Sequence, residues 1–157
     1  MSKTSEQTEQ LIKELQKLAI LLNSSSVTNS RISKWSVGEH IEHLLIADEG
    51  IVKSILQADK RPQSPINLIG RIVLFIGKIP GGRKSPEAAL PKKIPVEELN
   101  TKLKKLIKDL STFNPNELRG YFHHPVFRTL NPAQALRFAV IQHQHHLRII
   151  NRLLSRS

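Results

Sequence analysis

The residues best able to do chemistry in this 157-residue chain are its seven histidines, and they fall in three groups. His40 and His43 stand three apart. His123 and His124 are adjacent, just before Pro125, and His143, His145 and His146 crowd the C-terminal segment. Neutral imidazole ligates Zn, Ni, Co, Cu or Fe, moves protons near neutral pH, or serves as an uncharged core hydrogen-bonding group. The chain has no cysteine, which excludes a disulfide framework, a thiolate metal site and a cysteine nucleophile. Gly81-Gly82 lacks the flanking strand and lysine-threonine pattern of a phosphate loop. No nucleophile-elbow pattern occurs, and no two carboxylates share a face as paired acid and base.

The closing segment must position most of these groups. Asn131 as N-cap, Pro132 at the first helical position and Gln134 three residues on form a capping-box start, and apolar periodicity runs to about Leu154. At about 100° per residue, Leu136, Ala139, Leu147, Ile150 and Leu153 lie on one broad arc, and Arg137, Gln144, Arg148 and Asn151 lie opposite. His146 falls near the centre of the apolar arc, Gln142 and His143 on either side of it, and His145 at the solvent margin. A buried polar group left unpaired costs about 1–3 kcal/mol, so these side chains need partners. Gln142 with His146 (i, i+4), or His143 with His146 (i, i+3), can share an ion or a water. Equally, they can be core side chains bonded to backbone or to one another.

The partner for that arc is a helix from Ser36 to about Ala58. Ser36 and Glu39 make a second capping box, Trp35 precedes it as an apolar staple, and Ile41, Leu44, Ile51 and Ile55 form the buried stripe. Asp48 falls on the same stripe, and His40 and His43 share a face near its start. His40, Asp48 and His124 are candidate pocket-lining residues, although His123 and His124 also read as a surface pair. An amphipathic helix spans about Ser5 to Leu22, a short one Ile66 to Lys78, and another opens with Pro95 at its first position. Breaks are expected at Arg61 to Pro65 and Pro80 to Pro91. No stretch has the alternation of a strand. These features predict one all-α domain over 1–157: a four-helix bundle with a short extra helix and a long connection between helices two and three.

The formal charge of +11 favours an anionic partner such as nucleic acid, an acidic lipid surface or a small acidic molecule. Five Phe, one Tyr and one Trp accompany it, and none is interleaved with a basic run. The polar start lacks a secretory signal, and Ile66 to Ile79 is shorter than the about 20 apolar residues of a spanning helix. A cytoplasmic protein with no transmembrane segment is expected. The apolar Ile66 to Ile79 stretch offers a partner-facing surface.

Two stretches together resemble the DinB-like superfamily. Residues 35–44 (WSVGEHIEHL) are similar to its opening, a Trp followed by a helical turn and a His-Leu pair. From His124 (HPVFRTLNPAQ) to the His146-Leu-Arg-Ile-Ile stretch, the chain resembles the closing segment, where a His-Pro-x-Phe-Gly-x-Leu loop leads into a histidine-bearing helix. The resemblance implies a four-helix bundle with a long crossover, often a homodimer. It also implies a divalent metal, Zn, Ni or similar, held by one histidine from helix two and two from the closing helix. Members include transferases that use a low-molecular-weight thiol (bacillithiol or mycothiol) and a maleylpyruvate isomerase. By position, His43 matches the first ligand and His146 the last, while the middle ligand falls on Gln142, with His143 as a substitute. Arg128 stands where the loop glycine is usual, and Ile149 where a glutamine is common. A divalent-metal protein with thiol-dependent transferase activity is therefore expected. The alternative is a non-catalytic basic binding module whose metal site has degenerated, and no catalytic residue is assigned.

Overall fold

The computed structural model describes residues 2–58, 65–81 and 85–156. Five helices, α1 (Lys3–Leu21), α2 (Val37–Leu56), α3 (Leu68–Ile76), α4 (Val96–Thr112) and α5 (Pro132–Ser155), carry the structure. A two-stranded hairpin, β1 (Phe122–His124) and β2 (Arg128–Leu130), precedes α5. The expected break at Arg61 to Pro65 lies outside the described residues except for Pro65.

The helix starts follow from local capping. Ser36 Oγ accepts from Glu39 N at 3.1 Å while Ser36 N donates to Glu39 Oε2 at 2.9 Å, and Asn131 and Gln134 make the same reciprocal pair. Asn67 caps α3 through Gly70 N at 2.8 Å and donates from Nδ2 to Val126 O at 2.7 Å, which ties that helix to the hairpin turn. Pro95 stands at the N-cap of α4 rather than at its first helical position, with ψ of 154°, so the helix opens one residue later than expected.

Helices α1 and α2 each pack against both α4 and α5, which places α1 and α2 on one diagonal of a four-helix bundle and α4 and α5 on the other. Leu11, Leu15, Ile41, Leu44, Leu103, Leu110, Leu136 and Ile141 fill the centre with 1 % exposure or less. The short α3 leans on α5 from outside the four. The all-α expectation therefore holds, and the small hairpin corrects only the expectation that no stretch forms a strand. Its strands are three residues each, too short to show alternation, and pair antiparallel with Phe122 opposite Leu130 and His124 opposite Arg128.

Arg128 has φ of 68°, in the left-handed region, at the position where the resemblance leads one to expect glycine. The turn after Pro125 requires that backbone, which costs a side-chain-bearing residue about 1–2 kcal/mol. Arg128→Gly is expected to raise stability by about 0.5–1 kcal/mol, because the relieved strain exceeds the entropy glycine adds to the unfolded chain. Urea unfolding of the two proteins measures the difference.

Candidate functional site

The capping box at Ser36 sets the phase of α2 so that His40 and His43, one turn apart, meet His146 of α5. The three imidazoles gather against Trp35. Its ring stacks on His146 at 6.1 Å between centroids and lies 5.3 Å from His40 and 5.0 Å from His43. His43 and His146 are 4.7 Å apart, ring to ring. These residues, with Gln142 and His145, line a cavity of about 540 Å³ whose other walls are mostly apolar, Val73, Ile79, Phe127 and Phe138 among them, with Ser33, Lys34 and Ser85 as polar members.

Hydrogen bonds fix the proton position of one ring and couple those of the other two. His43 donates from Nδ1 to the carbonyl of Ala89 at 2.7 Å; a carbonyl only accepts, so Nε2 carries the lone pair. His40 Nδ1 meets His146 Nδ1 at 2.8 Å, and His40 Nε2 meets Ser33 Oγ at 2.9 Å, an oxygen that also accepts from Trp35 N. Between two neutral rings one Nδ1 must hold the hydrogen, so His40 and His146 adopt complementary tautomers. Burial, then the His43 charge, lowers the His40 pKa from 6.5 to about 4, with Glu39 opposing. Burial also drives His146 lower still, followed by the charges of His43 and His40. Both rings are neutral near pH 7.

Ala89 reaches His43 because Glu42 holds the crossover segment. The Glu42 carboxylate, 2 % exposed, accepts from the amides of Lys92 (2.7 Å), Lys93 (2.8 Å) and Ile94 (3.3 Å). Sequence reading missed Glu42, Ser33 and Ala89. Glu42 carries no local signal, since its three donors are some fifty residues away in the chain.

The remaining candidates are placed elsewhere. His143 Nε2 donates to Asp48 Oδ2 at 2.6 Å, both side chains fully buried, so this pair bridges α5 to α2 within the core and does not line the cavity. His124 accepts from Val126 N and Phe127 N at Nδ1, stacks on Phe127, and lines a separate cavity of about 290 Å³. Gln142 borders both cavities, and its Oε1 is buried without a hydrogen-bond partner among the described residues. His145, expected at the solvent margin, is a wall of the larger cavity. Among the described residues no three His, Cys, Asp or Glu side chains are set to hold a metal ion.

A bundle with a long crossover and an imidazole-lined cavity between α2 and α5 defines a class of helical proteins. The sequence profile of the DinB superfamily matches residues 4–150, and the chain belongs to that superfamily. No curated protein and no solved structure matches it. Among the described residues no helix is long and apolar enough to cross a membrane.

Two expectations follow. His143→Ala leaves Asp48 buried and alone, and is expected to cost about 3–5 kcal/mol of stability in chemical denaturation. The second concerns pH. His40 and His124 are both lowered from 6.5 to about 4, chiefly by burial. The unfolded chain therefore takes up protons before the folded one. Stability of chelator-treated protein is expected to be full above pH 6.5 and to fall as pH drops from 6.5 towards 4, read from urea midpoints across that range.

Proposed function

We propose that this DinB-superfamily protein binds a divalent metal in the larger cavity, through His43 Nε2, Gln142 Oε1 and His146, and that the bound ion serves a thiol-dependent transfer. The observation that carries the reading is the hydrogen bond from His43 Nδ1 to Ala89 O. Metal-ligating histidines characteristically donate their second ring nitrogen to a carbonyl or carboxylate, which fixes the tautomer and aims the lone pair. The unpartnered Oε1 of Gln142, one helical turn before His146, supports it, because a buried acceptor without a donor fits a cation. When bound, a divalent ion acts as a Lewis acid and lowers the pKa of a thiol or water beside it.

The chain's own residues supply the rest. Trp35 packs against the three rings, apolar side chains form most of the cavity wall, and the tautomer in which His146 Nδ1 donates to His40 leaves His146 Nε2 free for the ion. Gln142 makes the set weaker than one of three imidazoles, since an amide oxygen is a poorer ligand for a borderline-soft ion. A second reading, a metal-free ligand pocket, is favoured by the His40–His146 contact of 2.8 Å, which already satisfies one nitrogen of each ring.

Tag-free protein titrated with Zn²⁺, Ni²⁺ or Co²⁺ is expected to take up metal stoichiometrically. His43→Ala and His146→Ala should lose it, His143→Ala should keep it as long as the protein folds, and Gln142→His should tighten it in competition with a chelator. Protein that stays empty when offered all three ions decides for the second reading.

A further inference from the structure

Helix α3 has an unusual surface. Of its nine residues only Gly70 and Val73 are buried, while Leu68, Ile69, Ile72, Phe75 and Ile76 are exposed, Phe75 at 90 %. The helix is fixed in this orientation. Asn67 caps it and bonds to Val126 O, and a side chain at Gly70 would collide with Ile66 and Phe127, so the helix sits tightly on the hairpin turn. Val73 enters the core, and Gly77, at φ of 70°, ends the helix. The apolar face therefore points outward by construction, and isolated apolar residues on a surface do not account for five on one short helix.

In the sequence, the stretch through this helix between Asp59 and Glu87 carries charge of one sign. From residue 60 to residue 86 the chain contains Lys60, Arg61, Arg71, Lys78, Arg83 and Lys84, and no Asp or Glu. We infer that α3 and its basic flanks dock the protein on an anionic lipid surface, the helix lying in the interface plane. Nine residues at about 1.5 Å each give about 14 Å, far short of a bilayer core, so the helix cannot span and must lie flat. Aliphatic and Phe side chains enter the acyl boundary, and the Lys and Arg residues of the stretch, Arg71 and Lys78 among the described ones, meet the acidic headgroups. A second copy of the chain fits less well. A two-fold interface on this face would bring the same cationic segment against itself in a chain of net charge +11. Nucleic acid would leave five apolar side chains facing phosphates, with Phe75 the only exposed aromatic of the helix available for stacking.

The test is sedimentation of the full chain with large vesicles. Vesicles of phosphatidylcholine containing about a third phosphatidylglycerol are compared with pure phosphatidylcholine. Pelleting with the anionic vesicles at least about tenfold stronger than with the neutral ones, and weakening as salt is raised, is the expected result. Phe75→Asp, at a position too exposed to affect folding, should reduce it by about tenfold or more with an unchanged circular dichroism melt. Absence of pelleting with the anionic vesicles overturns the inference, as does pelleting that Phe75→Asp leaves unchanged. A wild-type dimer that ignores vesicles and is split by Phe75→Asp assigns the face to a second copy instead.

Discussion

Imidazoles and carboxylates buried between two apolar helices must find partners there, because water is excluded and each unmet polar group is costly. The seam between α2 and α5 answers this requirement twice, although Asp48 Oδ1 and His143 Nδ1 keep no partner among the described residues. Deep in the bundle His143 meets Asp48, and nearer the cavity His40 meets His146. The two contacts hold the helices in one register, and the rest of the site inherits it. Trp35 can face three rings, and Gln142 can border the cavity, only when α2 and α5 are set at that height and rotation.

The orientation of His43 depends on a clamp outside the bundle. The crossover between α3 and α4 has little core of its own, and Glu42 draws it in by accepting three consecutive amides. Lys93, in that segment, takes φ of 64°, a left-handed backbone that lets successive amides converge on one carboxylate. The clamp brings Ala89 O to His43 and so determines which nitrogen of that ring is free. A residue pointing away from the cavity thus decides the chemistry of its neighbour inside it. The same logic runs from Ser33 through His40 to His146, where a chain of hydrogen bonds links the loop before α2 to a ring on α5.

Placement of the candidate residues divides them by role. His43, His146 and Gln142 share the cavity, His143 and Asp48 sustain the core, and His124 shapes the hairpin turn by accepting two amides. Position on the helical wheel could not make this division. His143 and Gln142 are adjacent and flank His146 almost symmetrically, yet one meets an acid on the neighbouring helix and the other meets none.

The helices, their caps and the apolar stripes were legible in the sequence because each depends on residues within a few positions of one another. The boxes at Ser36 and Asn131 are local hydrogen bonds, and the resemblance around Trp35, His43 and His146 is carried by short motifs. Asp48 was visible as an oddity on an apolar stripe, though nothing in the chain named its partner 95 residues away. The hairpin stayed hidden, since strands of three residues have no periodicity and are stabilised by the packing of His124, Phe127 and Phe138. Which histidine faces the cavity, which ring nitrogen is free and what Glu42 holds were decided only by the tertiary structure. Those properties are set by distances between segments remote in the chain, and helical phase specifies a direction but not what lies along it.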